Sequence, residues 1–152
     1  MLKVVFGVCL TVFLLLPAAA LAGMTRSETA LLQAMNHVRR QHGLRPLQLD
    51  ARLERAARSH SHAMVVDDAF RHGAFGSRML RFHVAGRVAG ENLAWGTGAR
   101  GTAMGIVSAW LRSPEHRANL LRPSFSRVGI GSVVATFLGN RDASVVTADF
   151  AG

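Results

Sequence analysis

His116 is the residue whose sequence surroundings point most directly to chemistry. It follows Ser113, a favourable residue at a helix N-cap, and Pro114, which is tolerated at the first helical position. Together with Glu115, these residues predict a helix that begins at Ser113 and carries His116 in its first turn. The positive end of a helix dipole disfavours an added proton. We therefore expect a neutral imidazole that can accept a hydrogen bond or bind a metal ion.

A second histidine and a carboxylate lie in stretches without clear periodicity. His72 occurs in a predicted loop, residues 67–76, where a functional role and simple solvent exposure fit the sequence equally well. Glu91 and Asn92 follow Gly90 in a segment that we interpret as a tight turn directing a side chain into a pocket. The alternative is that Asn92 only ties down the turn while Glu91 pairs with a nearby arginine.

Two other patterns suggest binding sites but lack the sequence context for them. Gly96, Gly98 and Gly101 match the Gly-x-Gly-x-x-Gly pattern of dinucleotide-binding loops. The sequence predicts no strand before these glycines, so we interpret them as a flexible entry to a helix. His60 lies on the apolar stripe of a predicted helix, which favours a partly buried, hydrogen-bonded histidine over a metal ligand.

The first 22 residues have the features of a secretory signal peptide. Lys3 provides positive charge, an apolar run extends over residues 4–16, and Ala20-Leu21-Ala22 resembles a cleavage site. The apolar run is too short for a bilayer-spanning helix, which argues against a stable transmembrane anchor. We therefore predict a signal peptide over residues 1–22, a single domain over residues 23–152, and a secreted or periplasmic location after cleavage.

The predicted mature chain is strongly basic and contains no thiol. Without Lys3 and Cys9, which belong to the leader, 17 arginines stand against nine acidic residues, a net charge of +8 with histidine neutral. Such a charge favours anionic partners such as wall polymers or acidic lipid head groups, although a basic surface without a dedicated site also explains it. The export signal argues against nucleic acid. An exported domain without disulfides fits a bacterial cell envelope.

The distribution of elements predicts an α+β fold. Apolar residues at helical spacing follow Ser27 and again follow Asp50, a favourable N-cap. Helices in the first two thirds and strands in the last third indicate helices covering a small antiparallel sheet, with the two strands joined by a loop over residues 138–142. The further predicted elements are helices over residues 77–84 and 104–111 and strands over residues 127–137 and 143–150.

Several short motifs follow one another in a specific order. They are Gly43-Leu44-Arg45-Pro46-Leu47, His60-Ser61, Phe70-Arg71-His72, Gly90-Glu91-Asn92-Leu93-Ala94, Trp110 with Ser113-Pro114, His116-Arg117-Ala118-Asn119-Leu120-Leu121, Val128-Gly129-Ile130-Gly131 and Asp149-Phe150. In this order and spacing the chain resembles the CAP superfamily of cysteine-rich secretory, antigen 5 and pathogenesis-related proteins. The resemblance covers nearly the whole predicted mature chain and is to the compact bacterial branch, in which the absence of disulfides is expected.

This resemblance implies a single-domain α-β-α sandwich with an open groove lined by two histidines and two glutamates. His72 and His116 match the family's two histidines, and Glu91 matches the first glutamate. At the second glutamate position this chain has Ser113, as is common in the bacterial branch. Glu115 is the nearest substitute, although adjacent helical residues point about 100° apart. The expected groove residues are His72, Glu91, Asn92, Glu115 and His116.

Three functions are compatible with these residues. The first is a secreted or cell-envelope binding module without catalytic activity, similar to family members whose grooves hold lipid, sterol or cell-wall ligands. The alternative is a metal-dependent hydrolase or peptidase, in which His72 and His116 bind a divalent metal such as zinc and Glu91 acts as ligand or base. A serine hydrolase ranks third because no nucleophile-elbow pattern singles out a serine. The sequence leaves open whether the protein is an enzyme.

Overall fold

The computed structural model describes residues 23–152, so the predicted signal peptide lies outside the described residues. The helices of this part are α1 (Arg26–Gln41), α2 (Ala51–Val66), α3 (Phe75–Arg81), α4 (Ala103–Arg112) and α5 (Pro114–Leu120), with a short 3₁₀ helix over Gly98–Gly101. The strands are β1 (Gln48–Leu49), β2 (Ala89–Gly96), β3 (Arg127–Phe137) and β4 (Asn140–Ala151). None of the helices within residues 23–152 is both long and apolar enough to cross a membrane.

Local sequence determines where the two longest helices begin. The Thr25 hydroxyl accepts a hydrogen bond from the backbone N–H of Glu28, and the Glu28 carboxylate accepts one from the backbone N–H of Thr25. This capping box satisfies two amide groups at the start of α1 that would otherwise have no partner. The Asp50 carboxylate likewise accepts from the backbone N–H groups of Arg52 and Leu53 at the start of α2. Both predicted helices are confirmed.

The strands form one sheet in the order β1-β3-β4-β2. Strand β4 is paired antiparallel with β3 and β2, whereas β1 runs parallel to β3. The predicted α+β fold is therefore confirmed, but the sheet is mixed rather than wholly antiparallel. The difference comes from Gln48 and Leu49, which pair with the start of β3. Two residues are too few to show a strand period, so the sequence pattern carries no signal for this strand.

The sheet separates two layers of helices. Alternate residues of β4, including Val146 and Ala148, face a core built with α1, α4 and α5. Val145, which directly precedes Val146, faces the opposite side of the sheet and packs with Met64 of α2. Because side chains alternate along a strand, β4 serves both cores, and its apolar run is nearly continuous for that reason.

Helix α2 lies unusually close to β3 because two glycines face it. A Cβ atom on Gly129 would lie 1.9 Å from the carbonyl carbon of Leu53, and one on Gly131 would lie 2.5 Å from that of Ala57. No side chain fits at these distances without displacing backbone. The close packing brings the Ser61 hydroxyl of α2 within 3.0 Å of the Gly131 carbonyl oxygen, to which it donates a hydrogen bond.

The connection between β3 and β4 is shorter than the sequence predicted. The predicted loop over residues 138–142 is wrong, because β4 already begins at Asn140, which is paired with Phe137. Leu138 and Gly139 alone make the turn, with φ values of 48° and 75°. Positive φ at both central residues matches the right-handed twist of the strands, as in a type I′ hairpin. A leucine rarely adopts this conformation, so the residue types did not reveal the turn.

The tight turn predicted at Glu91 and Asn92 is also wrong, because both residues lie within strand β2. The strand contains no valine, isoleucine or threonine, so its intrinsic β propensity is low. It is held instead by pairing with β4, from Ala89 opposite Ala151 to Gly96 opposite Ser144. Such tertiary pairing overrides local propensity.

A strand therefore does precede Gly96, Gly98 and Gly101, contrary to the prediction. The surroundings still differ from a dinucleotide-binding unit. The next strand along the chain is β3, and β4 lies between it and β2 in the sheet. The two strands are therefore not adjacent, as the parallel strands of a dinucleotide-binding unit are at this loop. The glycines serve close packing instead: a Cβ atom on Gly101 would lie 2.4 Å from the Gly96 carbonyl oxygen.

Arg39 of α1 is buried and has no carboxylate partner among residues 23–152. Its side chain lies under the end of α5 and the segment that follows, and its residue is 1% exposed. The guanidinium satisfies backbone groups that the end of a helix leaves open. It donates hydrogen bonds of 2.9–3.1 Å to the carbonyl oxygens of Arg45, Leu120, Arg122 and Phe125.

We expect Arg39→Met to lower the free energy of unfolding by on the order of 3 kcal/mol, because these carbonyl groups would lose a charged donor while remaining buried. Arg40→Met is the matched control, since Arg40 is the next residue of the same helix and is exposed. The control should change the free energy of unfolding by less than about 0.5 kcal/mol. Denaturant unfolding followed by circular dichroism measures both, and equal losses would contradict the role assigned to Arg39.

Candidate functional site

A histidine and a buried carboxylate are paired at one face of the sheet. His72 lies in the loop between α2 and α3, and its Nδ1–H donates to Oε1 of Glu91 at 2.7 Å. The side chain of His72 is 60% exposed, whereas that of Glu91 is 3% exposed. This hydrogen bond fixes the imidazole tautomer and leaves Nε2, without a partner within residues 23–152, as the nitrogen that can meet a ligand.

An arginine and a further histidine lie next to the buried carboxylate of Glu91. The guanidinium of Arg78, from α3, donates to Oε2 of Glu91, so both carboxylate oxygens are engaged. Nε2 of His60 lies 3.8 Å from the same oxygen and donates to the Arg71 carbonyl oxygen at 2.9 Å. His60 is therefore a buried, hydrogen-bonded histidine, as the sequence predicted.

Burial is the largest influence on the pKa values of Glu91 and His60. It raises the pKa of Glu91 above its ordinary range, although the positive charge of Arg78 acts in the opposite direction. Burial, helped by the charge of Arg78, lowers the pKa of His60 to about 4. His60 is thus neutral at physiological pH.

His116 approaches the site from the opposite layer. Asn92 of β2 donates from Nδ2 to the His116 carbonyl oxygen at 2.9 Å, and Asn119 donates from its own Nδ2 to Oδ1 of Asn92 at 3.0 Å. A third bond, from Asn119 to the Glu91 carbonyl oxygen, completes the attachment of α5 to the strand. Asn92 is fully buried and faces α5, so it holds the helix that carries His116.

The predicted role of Ser113 as a capping side chain is wrong. Ser113 occupies the N-cap position, but its side chain makes no capping hydrogen bond to the backbone of α5. Its hydroxyl is instead hydrogen-bonded to Nδ1 of His116 at 2.8 Å. The predicted shift of His116 toward its neutral form is found, with a different cause. Burial is the largest influence that lowers its pKa, followed by the positive charge of His72, while Glu115 raises it.

Only some of the predicted site residues are in contact with one another. His72 and Glu91 are in contact, and His116 is near enough for the charge of His72 to influence its pKa. Glu115 is exposed and makes no hydrogen bond or ion pair within the described residues. Its effect on His116 is electrostatic only.

The described residues provide an incomplete set of ligands for a metal ion. Both imidazoles have Nδ1 engaged, by Glu91 and by Ser113, an arrangement in which Nε2 is the nitrogen available for coordination. Yet no group of three or more histidine, cysteine, aspartate or glutamate side chains within residues 23–152 is arranged to hold a metal. Zinc sites with catalytic activity use three protein ligands.

The sequence alternative that Glu91 pairs with a nearby arginine is confirmed, but sequence reasoning did not identify Arg78 as that arginine and missed Asp149 as part of this site. Arg78 lies 3.6 Å from Oδ1 of Asp149 as well as in contact with Glu91. Arg78 carried no signal, because it is one of many arginines in the chain. Asp149 did carry one, since it is an acidic residue within the apolar run of β4, and an ionisable side chain in such a run is buried and paired more often than not.

The comparisons of this chain with known proteins agree on one family. The model of the CAP family, the cysteine-rich secretory protein family, matches residues 32–150. This chain belongs to the CAP family. It is 34% identical to the protein YkwD of Bacillus subtilis over 120 residues, which cover 76% of this chain and 46% of that protein.

CAP domains of known structure share the fold. An extracellular protein from Bacillus anthracis that contains an SCP domain is 27% identical and has a TM-score of 0.66, covering 82% of this chain and 40% of that protein. An outer surface protein of Borrelia burgdorferi is 21% identical with a TM-score of 0.68, covering 80% of this chain and 89% of that one. These relatives are bacterial extracellular or surface proteins. The chain spans less than half of the length of YkwD and of the Bacillus anthracis protein.

We expect Ser113→Ala to alter the ring of His116 more than the stability of the fold, because the hydroxyl contacts Nδ1 rather than the helix backbone. Thr102→Ala is the matched control, since the Thr102 hydroxyl does cap α4 by accepting from the backbone N–H of Gly105 at 3.1 Å. The control should lose about 1 kcal/mol of unfolding free energy, and Ser113→Ala less than about 0.5 kcal/mol.

Two measurements check this prediction: denaturant unfolding, and nuclear magnetic resonance of the imidazole nitrogens. Ser113→Ala should shift the nitrogen resonances of His116, and Thr102→Ala should leave them unchanged. Equal stability losses in the two variants, with His116 undisturbed, would restore the capping role.

Proposed function

We propose that this chain is an extracellular or surface binding module without catalytic activity, which binds an anionic component of the cell envelope at a groove containing His72 and His116. One observation carries the proposal. The negative charge of the site is buried, with the Glu91 side chain 3% exposed and Arg78 against it, whereas the imidazole of His72 is 60% exposed. A ligand that approaches His72 therefore meets an imidazole, while the carboxylate of Glu91 behind it is buried.

The charge of the whole chain supports an anionic ligand. The predicted mature chain carries +8 with histidine neutral, which raises the local concentration of anions near the surface. A phosphate-bearing wall polymer and an acidic lipid head group share this chemistry. The positive charge would not attract an uncharged sterol. We therefore consider a sterol a less favoured ligand than a wall polymer or an acidic lipid.

The arrangement of the two histidines supports binding over catalysis. Ser113 is hydrogen-bonded to His116, whereas Glu91 is hydrogen-bonded to His72. A serine hydrolase needs one histidine between the nucleophile and the acid. Here the serine and the acid contact different histidines, so this relay does not form among the described residues. Glu91 is also a poor general base, because both of its oxygens are engaged.

We expect the protein to bind vesicles containing phosphatidylglycerol and cell walls that retain their anionic polymers. His72→Ala combined with His116→Ala should weaken this binding by at least about tenfold, a change of about 1.4 kcal/mol. His37→Ala combined with His62→Ala is the matched control, because both of these histidines are exposed on other helices. Co-sedimentation at low and high salt measures the binding.

Each arm of this experiment has a distinct meaning. Binding to vesicles alone identifies a lipid head group, and binding to walls that is lost when their anionic polymers are removed identifies a polymer. Binding should also weaken with salt. Equal weakening in both double variants would show general attraction to a basic surface and would contradict a site at the groove.

Metal binding by the two histidines is the second candidate, favoured by the engagement of Nδ1 in both rings. Bound zinc would supply Lewis-acid chemistry, but the described residues offer two ligands, so we derive no hydrolytic step. Calorimetric titration of zinc into the folded parent and into the His72→Ala, His116→Ala double variant tests this candidate. Saturable binding that the double variant loses would place both histidines at one metal site. No binding in the parent would remove the candidate.

A further inference from the structure

Asp149 is a buried acidic residue to which the proposed function gives no role. It lies in β4 at the centre of the sheet, opposite Glu91 of β2 on one side and Gly129 of β3 on the other. Its side chain is 0% exposed. Neither of its carboxyl oxygens has a hydrogen-bond donor among the described residues. A carboxylate in such a place would be dehydrated and would receive no hydrogen bond, which is strongly unfavourable.

The charges around Asp149 do not balance if it is ionised. Of the two arginines in helix α3, Arg78 contacts this pair, and its positive charge is shared between Asp149 and Glu91. Helix α2 contributes His60, whose neutral ring has Nε2 engaged by a backbone carbonyl group. The residue of β3 opposite Asp149 is a glycine and contributes no charge. The loop before α3 contributes His72, whose ring is 60% exposed and is hydrogen-bonded to Glu91 rather than to Asp149. Two ionised carboxyl groups would therefore face one buried guanidinium.

A single proton resolves both difficulties. Residues directly opposite each other in antiparallel strands have Cβ atoms about 5 Å apart, so the carboxyl groups of Asp149 and Glu91 can reach each other. A proton on Asp149 turns it into a donor, and the carboxylate of Glu91 is the acceptor beside it. The pair then carries one negative charge, opposite the one positive charge of Arg78.

We propose that Asp149 is a positioning residue that stays protonated in the folded protein and donates a hydrogen bond to Glu91. The proton remains on Asp149, and the negative charge remains on Glu91. Glu91 thus receives hydrogen bonds from Asp149, Arg78 and Nδ1–H of His72, which together fix its orientation. His72 is held in the tautomer whose Nε2 is free for a ligand.

The protonation preferences of the pair agree with this placement. Burial raises the pKa of Asp149 far above its ordinary range. The hydrogen bond between the two carboxyl groups raises the pKa of Asp149 further and lowers that of Glu91.

The first test is spectroscopic and uses the unmodified protein. Infrared spectra of protein with ¹³C-labelled aspartate side chains should show a protonated carboxyl band at pH 7, shifted by the label, which is absent from Asp149→Asn. Absence of this band from the parent at pH 7 would overturn the proposal.

The second test compares two substitutions of similar size. Asp149→Asn keeps a donor toward Glu91, and Asp149→Leu removes it. Nuclear magnetic resonance of the imidazole nitrogens should show His72 as the Nδ1–H tautomer in the parent and in Asp149→Asn, and as a mixture of tautomers in Asp149→Leu. Equal spectra for His72 in the two variants would contradict the positioning role. If Asp149→Leu does not fold, the infrared band and the behaviour of Asp149→Asn decide.

These measurements use no ligand, so they do not depend on the proposed function. The groove can fail to bind anions while Asp149 is protonated, and it can bind them while Asp149 is ionised. The two proposals therefore fail separately.

Discussion

The burial of the Glu91 carboxylate is the constraint on which the rest of the site depends. A carboxylate beneath a helix is stable only when its oxygens receive hydrogen bonds and its charge is compensated. Arg78 and His72 provide these, and each comes from a different part of the chain. The loop after α2 and the short helix α3 are thereby tied to the same strand. The exposed histidine is oriented by a group that solvent does not reach.

The opposite layer contributes through backbone contacts. Helix α5 has only seven residues and buries Leu120 alone, so apolar contacts give it little support. Asn92 and Asn119 attach it to β2, and Arg39 binds the carbonyl groups at its end. Side-chain amide and guanidinium groups thus perform the task that apolar packing performs for longer helices. This attachment sets the distance of His116 from His72.

A structural feature could be predicted from the sequence when the residues that form it lie close together along the chain. The capping box of Thr25 and Glu28 and the cap at Asp50 act within three residues, so their types and spacing reveal them. The apolar periodicity of α1 and α2 is similarly local. Strand β2 has no such signal, because its partners in β4 lie far along the chain, from Ala89 opposite Ala151 to Gly96 opposite Ser144. The two-residue turn at Leu138 was missed because a leucine with positive φ is stabilised by the strands on either side and not by its own preference.

The sequence by itself determined the α+β class, the longer helices, the basic charge and the types of the residues His72, Glu91 and His116. These properties depend on composition, on neighbouring residues, or on motifs whose order is visible along the chain. Only the tertiary structure decided that Glu91 binds His72 and Arg78, that Ser113 binds His116, and that Asp149 faces Glu91. The physical reason is that charge and hydrogen-bond complementarity inside a site depends on distances across the sheet, which are fixed only when α2 packs on Gly129 and β2 pairs with β4.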